Sequence, residues 1–270
     1  MSVNDELGKR MKEYYEQIPK TKLMRRTPVI LRFDGKAFHT FTKGFEKPFD
    51  EVLMQSMQET MLYLCKHIQG AVFGYTQSDE ITLVLVDYAK LNSSAWFDYE
   101  VQKMCSIGAS MCTMAFNKIF TLLAEAKCDE IERESKDKTH PRYANAYYKT
   151  LKSAILKGAM FDCRCFNIPK EEVCNVIYWR QVDATRNSIQ MVGQANFSHK
   201  ELQKKTCNMI QDMLHEQKGI NWNDFPTTCK RGTSCIKVVT ENDRTQWIID
   251  TEMPILKGED RSYVETLVYV

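Results

Sequence analysis

Two short stretches carry side chains suited to one kind of chemistry. The first is Leu31-Arg32-Phe33-Asp34-Gly35-Lys36-Ala37-Phe38-His39, and the second is Gly74-Tyr75-Thr76-Gln77-Ser78-Asp79-Glu80. The first reads as the end of a strand that carries Asp34 into a glycine turn. The second reads as a strand, a tight turn bearing Asp79 and Glu80, and a returning strand. Carboxylates on two neighbouring strand ends make a platform for Mg2+, a hard cation that takes one or two carboxylates, several waters and substrate phosphates. Asp34 and Asp79 are the expected metal ligands, with the Gly35 carbonyl as a third oxygen. Glu80 either supports the site or points away, because neighbours along a strand face opposite sides. Phosphoryl or nucleotidyl transfer asks little covalent chemistry of a protein. It needs phosphate charge neutralised and an in-line geometry held, and metal ions supply both. Asp-Gly alone is an ordinary turn, and Ser78-Asp79-Glu80 alone a polar hairpin tip; together on the first three strands they point to a metal site.

The residues after the first turn add to this. The backbone amides of Lys36 to His39 are placed to cradle a triphosphate. Phe38 reads as packed, and His39 as a contact to ligand or a loop histidine. Lys43 and Lys47 either reach phosphates as point charges or remain in an exposed loop.

Apolar periodicity gives the elements that must position these residues. Asp5 to Gln17 is helix-like, with Leu7, Met11, Tyr14 and Tyr15 on one face, and Lys20 to Arg26 is a basic connector, either a solvated loop or a phosphate-contacting rim. Pro28 to Phe33 reads as a strand, and Asp50 as the cap of a helix running through Ile68. Ala71 to Thr76 and Glu80 to Val86 form a hairpin. Trp96 to about Ile119 is a second helix, and Cys128 to Tyr148 is expected to be a charged, exposed connection. Ala159 to Asn167 is a fourth strand. The resulting order, strand–helix–strand–strand–helix–strand, is the ferredoxin-like βαββαβ pattern, which is also that of the palm of many nucleotide-polymerising enzymes. The fold class is therefore α+β, a polymerase-type palm with added helices. Residues 1–168 would hold the palm. Residues 169–270 would form a C-terminal helical and hairpin region, packed on the palm or continuous with it. In that region Lys170 to Val192 and His199 to Gln217 read as helices, and Ser234 to Thr240 with Thr245 to Asp250 as a hairpin. Arg180, Asp183 and Asn187 share one side of their helix, and a buried stripe of this kind requires paired partners.

Composition narrows the class. The chain has 270 residues, a net charge of +2, 43% hydrophobic and 27% charged side chains. That is ordinary for a globular protein, with no global basic signal for nucleic acid. Met1 to Arg10 is polar, without a signal-peptide pattern, and no apolar run is read as long enough to span a membrane, so a cytoplasmic protein without a membrane partner is expected. The ten cysteines include no Cys-x-x-Cys pair. They read as reduced thiols rather than zinc ligands, with Cys163 and Cys165 expected on opposite faces of their strand.

Phe33 to His39, Lys47-Pro48 and Gly74 to Glu80 closely resemble the signature of tRNA(His) guanylyltransferases. Trp179-Arg180-Gln181, Asp183, Asn187 and Arg231-Gly232-Thr233 match further segments, and the resemblance runs from about residue 5 to 250. It implies two Mg2+ ions held by Asp34, the Gly35 carbonyl and Asp79. It implies catalytic roles for Asp34, Asp79 and Glu80. Nucleotide contacts would come from Asp34, Gly35, Lys36, Ala37, Phe38, His39, Lys47, Ser78, Asp79 and Asn187. It implies GTP and ATP as substrates, tRNA as partner and a homotetramer. The implied reaction adds nucleotides to the 5′ end of tRNA in the 3′-to-5′ direction. Thr185-Arg186-Asn187-Ser188 replaces the eukaryotic His-x-Asn-Asn, Asp98-Tyr99-Glu100 stands where a basic cluster is common, and Phe49 follows Lys47-Pro48. These departures resemble the bacterial and archaeal branch, which repairs truncated 5′ ends by template-dependent addition, rather than strict tRNA(His) guanylylation. A nucleotide cyclase and a non-catalytic RNA-binding module are the competing readings of the same palm.

Overall fold

The computed structural model describes residues 5–136, 146–240, 242 and 244–270. In chain order the helices are α1 (Asp5–Met11), α2 (Phe38–Phe41), α3 (Glu51–His67), α4 (Val101–Lys136), α5 (Ala146–Lys157), α6 (Lys170–Asn196), α7 (His199–Leu202), α8 (Cys207–Lys218), α9 (Thr227–Arg231) and α10 (Ser262–Val268). The strands are β1 (Val29–Gly35), β2 (Ala71–Gln77), β3 (Glu80–Leu85), β4 (Phe161–Asn167), β5 (Thr233–Val239) and β6 (Thr245–Asp250).

All six strands join one antiparallel sheet in the order β4-β1-β3-β2-β5-β6. The first four are the ferredoxin-like arrangement expected from the βαββαβ order. The β5–β6 hairpin extends the sheet across the free edge of β2. Strand periodicity sorts the two faces. Val29, Leu31 and Phe33 are fully buried in a core with α3 and α4, whereas Ile30 enters a second core with Val173 and Ile177 of α6 and Val264 of α10. A third, smaller core joins the C-terminal half of α6 to α8 through Ile189, Val192, Ile210 and Leu214.

Several expectations are corrected. The second helix does not begin at Trp96. Phe97, Asp98 and Tyr99 have φ of 50°, 52° and 55°, so a separate turn precedes α4. α4 then continues through the charged stretch to Lys136, because Cys128 is still buried and Lys127 pairs with Glu130 at 2.9 Å. α5 replaces the rest of the expected connection, with Leu151 and Ala154 buried; residues 137–145 lie outside the described residues. Between Met104 and Ala124 the single charge is Lys118. α4 is therefore long and apolar enough to cross a membrane, its most apolar 18-residue stretch having a mean hydropathy of 1.3, contrary to the run length expected. In this fold its apolar stripe, Met104, Cys112, Phe116 and Phe120, lies in the core against the sheet.

The N-terminal stretch is helical over nearly the expected span, α1 continuing past Met11 as a wider π-helical segment over Lys12–Glu16, but Leu7, Met11, Tyr14 and Tyr15 are exposed rather than packed. The helix expected over His199 to Gln217 breaks after Leu202, where Lys204 takes φ of 62° and Thr206 recaps α8. Cys163 and Cys165 share one face of β4, since residues two apart on a strand point the same way, and Cys165 Sγ lies 3.6 Å from Cys105 Sγ on α4.

Candidate active site

Asp34 is the penultimate residue of β1 and stands opposite Glu80 on β3 and Asp162 on β4. The Gly35 amide donates to the Asp79 carbonyl at 3.1 Å, which ties the β1 end to the β2–β3 turn. Ser78 takes a left-handed conformation there, φ 50°, and its hydroxyl donates to Asp79 Oδ1 at 3.1 Å. Ala37 is left-handed too, at φ 53°. Non-glycine residues held in this region mark backbone that the surrounding fold over-determines, as functional turns commonly do.

Gly35 is required for a different reason. A Cβ at this position would lie 2.2 Å from the Phe38 ring. Phe38 packs among Phe41, Phe116 and Phe161 at centroid distances of 5.2–5.7 Å, so the ring cannot withdraw. Sequence reasoning assigned Gly35 to a turn and a carbonyl ligand and missed this close approach.

Asp34, Gly35, Ala37, Phe38, His39, Lys47, Ser78 and Asp79 all line one cavity of about 520 Å3. That volume is ordinary for a small-molecule site. Asp50, Leu53 and Met191 close another wall. Asp50 is already committed. It caps α3 by accepting from the Leu53 amide at 2.9 Å, and it also accepts from the Glu46 amide at 3.0 Å and the Tyr147 hydroxyl at 2.8 Å.

Three expected site residues fall outside this cavity. Lys36 is exposed, and its amide donates to the Met160 carbonyl at 2.8 Å, so that amide is spent on the sheet edge rather than free for phosphate. The cradle is thereby reduced to the amides of Phe38 and His39, because the Thr40 and Phe41 amides donate to the Ala37 carbonyl at 2.9 and 3.3 Å. Asn187 lines a smaller adjoining cavity with Phe49, Gln77 and Ser188; Ser78 and Met191 border both. Glu80 turns to the α6 side, where Arg180 Nε donates to it at 2.6 Å. Arg180 also bridges to Asp183 at 3.0 Å, and Asn187 reaches Asp183 at 3.4 Å, so the polar stripe on α6 is an internal network.

Two residues were not anticipated. Arg164 on β4 lies 3.5 Å from Asp34 and 3.2 Å from Asp162, and Asp162 brings a further carboxylate to the same strand end. Their alternation with Cys163 and Cys165 along β4 was the available signal. The basic connector is also spoken for in part: Lys22 and Arg25 pair with Asp98, and Arg25 Nε donates to buried Asp87 at 2.5 Å.

Burial pushes the Asp79 carboxyl above the usual carboxylate range, and the neighbouring charge of Asp34 pushes it further the same way. Glu80 is raised by burial as well, against the opposing pull of Arg180. Asp34 and Asp79 therefore repel one another in a partly desolvated place, an arrangement that a divalent cation relieves. Among the described residues no group of three or more acidic, histidine or cysteine side chains is gathered to cage a metal. Two carboxylates beside a cavity suit Mg2+, which completes its shell with water and phosphate.

A family model described as Thg1, tRNAHis guanylyltransferase, matches residues 8–169. A bacterial tRNA(His) guanylyltransferase (Thg1)-like protein in complex with ATP is 41% identical, with a TM-score of 0.78 over 97% of this chain and 99% of that one. A bacterial structure of the same description in complex with GTP is 40% identical, with a TM-score of 0.75 over 98% of this chain and 100% of that one. The tRNA(His) guanylyltransferase of Saccharomyces cerevisiae is 25% identical over 76% of this chain and 80% of its own length. The carboxylate pair, the cavity beside it and these similarities agree, and the chain belongs to the tRNA(His) guanylyltransferase family of nucleotidyltransferases.

Proposed function

We propose that this protein is a Mg2+-dependent nucleotidyltransferase that adds nucleotides to the 5′ end of tRNA in the 3′-to-5′ direction. The observation that carries the reading is the meeting of Asp34 and Asp79 at one wall of the 520 Å3 cavity. Support for GTP and ATP as substrates comes from the two similar bacterial proteins, one in complex with each.

The residues divide the work. Asp34 and Asp79, with the Gly35 carbonyl, would hold the metal ions, which supply neutralisation of phosphate charge and in-line orientation. Lys47 brings a cation to the cavity and pairs with phosphate oxygens. The amides of Phe38 and His39 donate to the same phosphates. Phe38 sets the depth of the cavity. Glu80 acts through Arg180, fixing the strand that begins beside Asp79. The 5′ end of the RNA is activated by ATP or already carries a triphosphate, and the 3′-hydroxyl of the incoming GTP attacks it, releasing AMP or pyrophosphate.

Repair of truncated 5′ ends is favoured over strict tRNA(His) guanylylation. Thr185-Arg186-Asn187-Ser188 replaces the eukaryotic pattern, and Asp98 is tied up with Lys22 and Arg25. A homotetramer working in the cytoplasm completes the proposal; the exposed Leu7, Met11, Tyr14 and Tyr15 offer apolar surface for assembly.

The test is incorporation of labelled GTP with Mg2+ on full-length tRNA and on tRNA lacking its first nucleotide, each 5′-triphosphorylated. Incorporation on the truncated tRNA, abolished in Asp79→Ala, is the expected result. Preference for an extra residue on full-length tRNA(His) would return the protein to guanylylation. Cyclic nucleotide formed from nucleoside triphosphate, without incorporation on any tRNA, would overturn the polymerase reading.

A further inference from the structure

A second face of α6 lines a cavity of its own. Tyr178, Gln181, Val182 and Thr185 recur at i, i+3, i+4 and i+7, on the side of the helix opposite Arg180, Asp183 and Asn187. They form one wall of a separate cavity of about 300 Å3, and Trp222, Lys230 and Arg231 form the other.

The lining selects a ligand chemistry. Trp222 is fixed in place, its indole N–H donating to Ser188 Oγ at 3.0 Å. Lys230 Nζ lies 5.8 Å from the centre of that ring and is anchored by donation to the Asn223 carbonyl at 2.5 Å. Arg231 Nε is buried and has no hydrogen-bond partner among the described residues. Gln181 is committed on both atoms, donating to the Pro254 carbonyl at 2.8 Å and accepting from the Leu256 amide at 3.1 Å, so it forms a rigid wall. No carboxylate lines the cavity among the described residues.

Aromatic faces beside unopposed cations suit a flat ring that carries negative charge. A bare inorganic anion would leave the faces of Tyr178 and Trp222 unused, and an apolar ligand would leave the charges of Lys230 and Arg231 without a counter-charge in the cavity. We propose that this cavity binds a nucleotide, with its base against Trp222 and Tyr178 and its phosphate at Lys230 and Arg231. Base–aromatic stacking next to Lys and Arg is the physical basis of unpaired nucleotide binding. The volume is at the lower end for small-molecule sites, enough for a base with the phosphate at the rim. The nucleotide comes either from a free nucleoside triphosphate or from an unpaired position in RNA.

Photo-crosslinking of the full-length protein separates these sources. One arm uses 8-azido-ATP and 8-azido-GTP; the other uses a short oligoribonucleotide containing 4-thiouridine, and adducts are mapped by peptide mass spectrometry. The expected result is an adduct on peptides containing Tyr178 or Trp222, and the arm that gives it identifies the source. Val182→Trp fills the cavity from an exposed position, and Lys230→Glu reverses its charge. Each is expected to weaken this labelling about tenfold or more, with thermal melting unchanged and labelling of the peptide from Asp34 to Lys47 retained. Adducts confined to the catalytic cavity in both arms, or undiminished labelling in both variants, would overturn the proposal. Binding is read directly, so loss of this site and loss of transfer to tRNA are separate outcomes.

Discussion

Arg180 and Glu80 are a hundred residues apart in sequence and 2.6 Å apart in the structure, each side chain only 10% exposed. This ion pair joins α6 to the first residue of β3, immediately after Asp79. Removing one member leaves a buried charge without its partner, which costs about 3–5 kcal/mol. Arg180→Met is therefore expected to lower stability by that order in urea unfolding. Arg180→Met combined with Glu80→Leu should recover the share of the loss due to Glu80, while Asp183, which also loses Arg180, keeps Arg186 at 2.6 Å. Additive losses in the double variant would show that the pair is not the coupling.

Gly35→Ala tests the close approach to Phe38. The added methyl meets the ring at 2.2 Å, and overpacking of this kind costs about 1–3 kcal/mol. Since both residues line the candidate catalytic cavity, the KM for GTP should rise along with the loss of stability. An unchanged KM would mean that Phe38 does not shape the nucleotide site.

Phe116 supports the same floor from behind. It is fully buried, and its ring lies 5.7 Å from Phe38 and 5.2 Å from Phe161. Phe116→Ala should cost about 3–5 kcal/mol by chemical denaturation. Phe116→Leu, which keeps more of the volume, should lose less and retain nucleotide binding.

Asp79 gives a pH signature. Its folded carboxyl lies above the ordinary carboxylate range through burial and the charge of Asp34. Without divalent metal, the resulting stabilisation is complete below the unfolded pKa and is lost as pH rises through the raised folded value. Asp79→Asn should therefore melt at a higher temperature than wild type at neutral pH in a chelating buffer. Added Mg2+ should raise the melting temperature of the wild type and leave Asp79→Asn unmoved. A variant that melts lower than wild type under chelation would show that the carboxylate is not repelled.

Much of this protein is legible before folding, because some physical constraints are local. A strand's alternation and a helix's 3.6-residue repeat record which side of each element must be dry. That information sufficed for β1 to β4, for α3 with its Asp50 cap and for the palm order. Asp34-Gly35 and Ser78-Asp79 stood out because tight turns draw on few residue types, and the structure brings both to one cavity. Local pattern does not record which distant group satisfies a polar side chain. Only the tertiary structure set Arg180 on Glu80, brought Arg164 and Asp162 to Asp34, and used the Lys36 amide on Met160. It likewise extended α4 through its charged end, where Cys128 stays buried, and split the helix at Lys204. Each of these choices was made by long-range packing and by the cost of leaving buried charge or backbone unpaired.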